Sequence, residues 1–194
     1  MATHKRSNKP KVLNLCSGEN PIKEAWNVDI TKGEFVDEVV NLTKFPWKWK
    51  TNSIEKIYII HGLEHFPDPK RVIKECYRIL KKGGLLEIIV PHSSSCMSIG
   101  CLGHYRTYSY DTLRDYLSRP FYMFKKKLFN TKAQELRWWY GRPTKNVPKW
   151  MLMIIIPMDK VLTFLANLSP QICENLWVYY VGGFKEILWE GEKV

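Results

Sequence analysis

Several short clusters in this 194-residue chain place small, polar or titratable residues directly after apolar runs: Leu15-Cys16-Ser17-Gly18, Asp29, Asn41-Leu42, His61-Gly62 and Pro91-His92. If the runs are strands of an open α/β sheet, these residues stand at its carboxyl edge, where such sheets bind ligands. Gly18 lets the backbone approach a ligand closely. Asp29, ending the second run, offers a carboxylate to both hydroxyls of a ribose. His61, His92 and His104 supply imidazoles that take up a proton near neutral pH, the property a general base needs. Arg106 and Tyr108, close to His104, form a wall suited to a phosphate or carboxylate, with Asp111 or Asp115 as the alternative partners of the guanidinium. Glu64 is read as a helix cap, and His65, beside Phe66-Pro67, as a structural turn residue.

The elements that would position these groups follow from periodicity. Lys11–Cys16 reads as a buried strand ending in a turn at Ser17-Gly18, Trp26–Ile30 as a second strand, and Phe35–Leu42 as holding a third. Ile54–Ile60 is a fourth. Asp68-Pro69 then opens a helix as N-cap and first-turn proline. Val72, Ile73, Cys76, Ile79 and Leu80 keep helical spacing up to Gly83-Gly84, which is read as the stop. Leu85–Val90 follows as a buried strand, so Ile54–Val90 forms a βαβ unit and a parallel sheet is expected. Pro91–Gly103 reads as a loop and Thr112–Leu117 as a short helix. Tyr122–Phe129 and Phe184–Trp189 are aromatic-rich runs expected to pair antiparallel at one sheet edge. Trp150–Leu168 is expected to be an amphipathic helix packed as a cover, because Pro157, Asp159 and Lys160 interrupt it as a bilayer span. The fold class expected is therefore α/β: a Rossmann-like, mostly parallel twisted sheet with an antiparallel edge hairpin and a C-terminal helical cover. Residues 1–10 read as a disordered basic arm and 11–194 as one domain, with 122–183 an insertion or substrate cover.

Four ordered motifs make the pattern specific. Val12-Leu13-Asn14-Leu15-Cys16-Ser17-Gly18-Glu19-Asn20, Asn27-Val28-Asp29-Ile30, His61-Gly62-Leu63-Glu64-His65 and Arg78-Ile79-Leu80-Lys81-Lys82-Gly83-Gly84-Leu85-Leu86 resemble the class I S-adenosylmethionine (SAM)-dependent methyltransferases, in their small "type 11" branch. His104-Tyr105-Arg106-Thr107-Tyr108-Ser109-Tyr110-Asp111 is similar to a later stretch of that branch. The resemblance spans about residues 11–117. It implies SAM as cofactor, with the backbone around Leu15, Cys16, Ser17, Gly18 and Asn20 on its methionine part. It further implies Asp29 on the ribose, Asn41 and Leu42 on the adenine, and His61 near the sulfonium. Cys16 replaces the first glycine of the family's G-x-G, and its Cβ is expected to crowd the cofactor. Asn41 stands where an aspartate is common, which is expected to weaken the bond to the adenine amino group. Only ten residues separate Gly18 from Asp29, too few for a full crossover helix.

The net charge of +11 is concentrated: residues 1–18 carry +4 and residues 122–150 carry +7. An anionic partner and a solvated surface are both open readings of these segments, and the +7 segment makes an anionic substrate the preferred one. Trp138, Trp139 and Tyr140 beside Arg137 and Arg142 offer a surface for stacking on bases or sugars, or else belong to the core. The five cysteines (Cys16, Cys76, Cys96, Cys101, Cys173) contain no C-x-x-C pair, so reduced thiols and no metal are expected. Val12–Cys16 is too short for a signal-peptide core, and a cytoplasmic location is expected. A dinucleotide oxidoreductase would need G-x-G-x-x-G and an acid about 20 residues on, and the chain shows neither. The absence of a D-P-P-Y-type tetrapeptide and of a P-C motif leaves O- or N-methylation. The acceptor would be a small anionic molecule, a saccharide, a lipid head group or RNA. Two other functions compete: a catalytically inactive methyltransferase fold that binds nucleic acid or a protein, and a peripheral membrane methyltransferase acting on a lipid-linked substrate.

Overall fold

A computed structural model describes residues 10–120, 124–138, 147–178 and 183–194. The expected basic arm (1–10) falls almost wholly outside these residues, as do Trp139, Tyr140 and Arg142. Seven strands form one sheet in the order β3-β2-β1-β4-β5-β7-β6. They are β1 (Val12–Leu15), β2 (Trp26–Asp29), β3 (Glu38–Val39), β4 (Ile54–Ile60), β5 (Leu80–Pro91), β6 (Phe129–Arg137) and β7 (Glu186–Lys193). The first five are parallel, while β7 runs antiparallel to β5 and β6 antiparallel to β7. The Rossmann-like class with an antiparallel edge is thus the observed one.

The β1–β2 link contains no helix, as its length requires. What closes it is a buried amide pair. Asn14 Nδ2 donates to Asn27 Oδ1 at 2.9 Å and to Asn20 O at 3.0 Å, and Ile22 N donates to Asn27 Oδ1 at 2.9 Å. These bonds satisfy backbone groups that a crossover helix would otherwise have paired internally.

Helix α1 (Pro69–Ile79) starts at Asp68, whose carboxylate accepts from Arg71 N, and buries Val72, Ile73, Cys76 and Ile79 on the sheet. It stops four residues before Gly83. Leu80 is already extended, and the two glycines lie inside β5. Gly83 has φ +74°, and a Cβ on Gly84 would stand 2.9 Å from Lys81 O and 3.1 Å from Glu55 O. The pair therefore serves an irregular pairing of β5 with β4 between Ile54 and Lys56, not a helix stop.

Three more expectations are corrected. The edge strand begins at Phe129, where it was expected to end, so part of the supposed 122–183 insertion belongs to the sheet. Its sequence is polar because an outermost strand carries charged and polar side chains that discourage further pairing. Loop 91–103 contains a short helix, α2 (Cys96–Gly100), and α3 (Tyr110–Ser118) is capped by reciprocal bonds between Ser109 and Thr112. Helix α4 (Lys149–Leu168) forms as expected, but Ala166 is its single buried residue. Asn167 bonds Leu136 N and O, and Thr163 bonds Trp138 N, so its C-terminal half lies along β6. Met153 (78% exposed) and Phe164 (64%) face outward, so the helix does not act as an apolar cover.

Candidate active site

At the carboxyl ends of β1, β2 and β4 the chain leaves a pocket of about 340 Å³, within the range that small-molecule sites occupy. Cys16, Gly18 and Asp29 form one wall, and Asn41, Leu42 and His61 are also in its lining. Six of the nine residues expected to bind cofactor are thus brought together. Leu15, Ser17 and Asn20 are not in the lining: Leu15 is core, Ser17 is buried, and Asn20 closes the turn by donating to Ser17 O at 2.7 Å. Ile30, Val40, Thr43, His65 and Phe66 complete the lining. His65, read as a structural turn residue, holds Gly103 O through Nδ1 at 3.0 Å and also borders this pocket.

Cys16 (φ 58°) and Gly18 (φ 45°) both take the left-handed conformation that glycine adopts without cost. The Cys16 side chain lies over Gly62, where an added Cβ would meet Cys16 Cβ at 2.7 Å. The missing first glycine is thus matched by a glycine after β4, which takes up the extra volume. Burial, and then the charges of Asp29 and Glu64, push the Cys16 thiol up to about 12, so it stays protonated and unreactive. Asp29 Oδ2 accepts from Gly18 N at 2.8 Å and Oδ1 from Thr31 N at 3.0 Å. These bonds fix the carboxylate at the pocket wall with lone pairs left over. Asn41 Oδ1 accepts from Thr43 N and Oγ1.

The histidines diverge. His61 Nε2 lies 3.0 Å from Glu186 Oε2, and Nδ1 lies 3.6 Å from Glu64 Oε1. Burial opposes its charge, but Glu186 and Glu64 outweigh burial and raise it to about 9. His61 is therefore an imidazolium at neutral pH and a donor, not the base expected. Arg137 Nη1 reaches the other Glu186 oxygen at 3.2 Å, so Arg137, Glu186, His61 and Glu64 alternate in sign. Arg137 is committed to this row and to Glu135 rather than offered to a nucleic acid. Trp138 packs partly buried against the core. His92 is 1% exposed, with Nδ1 2.7 Å from Ser94 Oγ and Nε2 2.9 Å from Glu174 Oε1. Both ring nitrogens are occupied, so His92 is a structural residue rather than a base. His104 lies beside His65, with ring centroids 4.7 Å apart.

Glu64 is no cap. Gly62 holds that position for the short Leu63–His65 turn, and the Glu64 carboxylate is buried with neither oxygen hydrogen-bonded. Arg106 and Tyr108 line a neighbouring pocket of about 460 Å³, on the Leu63 side. The Tyr108 hydroxyl donates to Leu63 O at 3.4 Å. Arg106 is exposed and donates to Pro67 O, whereas Asp111 and Asp115 are taken by Arg114. Sequence reasoning missed Glu186. It lies 125 residues from its partner His61, and only the β5–β7 pairing brings it there.

Residues 8–88 match the family model described as a methyltransferase domain, of the type 11 kind. That span holds β1 to most of β5 and every residue lining the 340 Å³ pocket. Over that stretch the chain is similar to the class I SAM-dependent methyltransferases of that kind, whose cofactor is SAM. The same fold occurs in a SAM-dependent methyltransferase from Archaeoglobus fulgidus, with 17% identity, 94% of this chain and 85% of that chain covered, and a TM-score of 0.53. It occurs also in an S-adenosylmethionine-dependent methyltransferase from Mesorhizobium loti, with 11% identity, 95% and 91% covered, and a TM-score of 0.53. The [4+2]-cyclase SpnF shares it at 13% identity, with 94% and 73% covered and a TM-score of 0.51. At such identities the likeness shows fold alone. No curated protein matches the chain.

Proposed function

We propose that the chain is a SAM-dependent methyltransferase that works at a membrane surface, on the cytoplasmic face, methylating an oxygen or nitrogen of an anionic lipid-linked acceptor. The observation that carries this reading is α4, the one helix among the described residues long and apolar enough to cross a membrane, which leaves most of its apolar side chains in water. Such a surface marks an interaction site. The bonds of Asn167 and Thr163 tie its last turns to β6, so the helix cannot span a bilayer without leaving the sheet. From Thr163 back to Lys149 it continues for about 21 Å at 1.5 Å per residue, with Trp150, Met153 and Ile154 exposed. That length suits burial in the interface plane. The +7 carried by residues 122–150 adds attraction to an anionic leaflet.

SAM brings an already activated methyl group, and the chain's task is to hold it, align the acceptor in line and exclude water. In this reading the backbone of Cys16–Gly18 holds the methionine part. Asp29 accepts from the ribose hydroxyls, Ile30 and Leu42 give apolar faces to the purine, and Arg106 receives the acceptor's anionic group. Flotation with phosphatidylserine-containing vesicles tests the location. The protein rises with the vesicles at low salt and less so as salt screens the lysines. A protein that stays at the bottom at low salt contradicts the proposal and leaves a soluble anionic acceptor or RNA.

A further inference from the structure

The Leu63–His65 turn and the loop after α2 bring Glu64, His65 and His104 together, with one ligating atom of each within 4.8 Å of the others. Three features set this cluster apart from a chance meeting of polar groups. First, the Glu64 side chain is 1% exposed and neither of its oxygens has a hydrogen-bond partner. A buried carboxylate left this way is costly unless something else satisfies it, and its cationic neighbour His61 stands 3.6 Å off. Second, His65 Nδ1 lies 3.0 Å from Gly103 O, and His104 Nδ1 lies 3.3 Å from Ser98 O. A carbonyl can only accept, so Nδ1 carries the hydrogen in both rings, and Nε2 is the nitrogen that offers a lone pair to a metal. Metal-ligating histidines are oriented in this way, with the second ring nitrogen donating to a backbone carbonyl. Third, His65 also lines the cofactor pocket, so the cluster sits at the pocket's rim.

We propose that Glu64, His65 and His104 bind a divalent first-row transition-metal ion whose open coordination positions take the oxygen of the methyl acceptor. Two imidazoles and one carboxylate are the donor set of catalytic zinc and of facial-triad sites, which leave positions for water or substrate. Around an ion with bonds of about 2.1 Å, ligating atoms stand roughly 3.4 Å apart in a tetrahedron. The cluster therefore contracts by up to about 1.4 Å on binding, a movement open to the exposed His65. An acceptor hydroxyl bound to the ion loses its proton to water more readily. Its oxygen then forms the bond to the methyl carbon as the carbon–sulfur bond breaks, and that electron pair returns to sulfur as S-adenosylhomocysteine. The acceptor class is a hydroxyl compound, methylated on oxygen. This assignment rests on the methyltransferase activity and is independent of the membrane reading.

The test titrates Co²⁺ into the full chain, following its visible absorption, and Zn²⁺ by calorimetry. Wild type, Glu64→Gln and His104→Ala are compared, and S-adenosylhomocysteine affinity is measured on each in parallel. One equivalent is expected to bind wild type with nitrogen and oxygen ligation. Binding should weaken at least about tenfold in either variant, while affinity for S-adenosylhomocysteine, which reports the fold and the pocket, stays within about twofold in His104→Ala. Should Glu64→Gln not fold, His104→Ala decides alone. Equal metal binding by wild type and His104→Ala, no binding by wild type, or a thiolate-to-cobalt charge-transfer band from Cys96 or Cys101 would overturn the assignment. Loss of S-adenosylhomocysteine binding in wild type would instead strike the cofactor site itself.

Discussion

At the scale of single residues, Cys16 and Gly62 show how a motif residue can change while the turn keeps its shape. The Cys16 backbone keeps the left-handed conformation, and its side chain fills the space that Gly62 leaves open. Gly62→Ala is expected to destabilise the protein by about 1–3 kcal/mol through the 2.7 Å contact with Cys16 Cβ and the 3.2 Å contact with Ile59. Adding Cys16→Gly should recover most of that loss, since it removes both the clash and the left-handed strain of a Cβ. Thermal unfolding of the two single variants and the double variant gives the coupling, and additive losses would contradict it. Glu75 makes a second residue-level case. It accepts two bonds from Arg78, at 2.7 and 2.8 Å, and one from Trp47 N at 2.7 Å, while Arg78 also donates to Trp47 O and Trp49 O. The Arg78 hydrogen bond, opposed by burial, holds the Glu75 carboxyl below its ordinary range. Its folded value is depressed, so its contribution is complete above the unfolded value and disappears as pH falls through the folded one. Tm measured from pH 7 downward should fall less steeply in the acid range for Glu75→Gln than for wild type, and parallel curves would contradict the role.

At the scale of elements, the sequence makes the parallel half of the sheet plain and the antiparallel half obscure. Strand β4 and the Asp68-Pro69 helix start are legible because apolar period and capping chemistry agree there. Gly83-Gly84 misleads because a glycine pair serves a strand irregularity as well as it serves a helix stop, and only contact with Glu55 O distinguishes the two. Strand β6 is hidden because its alternation is diluted by the polar residues an edge needs. The pocket residues near the Gly18 and Asp29 motifs are readable from those motifs. Glu186 and the joining of Glu64 and His65 with His104 are not, since long-range pairing has no spacing rule. Helix α4 is legible as a helix but not as an exposed one, because an apolar run looks the same whether it meets a core or a membrane. Met153→Asp, at a position 78% exposed, should leave the fold intact and reduce vesicle flotation severalfold. Unchanged flotation would place the contact elsewhere.

At the scale of the molecule, one sheet gathers three features at its carboxyl edge. The candidate cofactor pocket lies at β1, β2 and β4, and the turn after β4 carries Glu64 and His65 beside it. Strand β7 supplies Glu186 to His61 while β6 holds α4, so the antiparallel pair links the site to the exposed helix. The cofactor pocket is central to this arrangement, and calorimetry with SAM and S-adenosylhomocysteine on wild type and Asp29→Ala tests it most directly. The account predicts micromolar binding by wild type, weakened by about 10- to 100-fold in Asp29→Ala as the charge-assisted ribose bonds, worth roughly 1.5–3 kcal/mol, are lost. Folded wild-type protein that binds neither ligand, or equal binding by the variant, would contradict it.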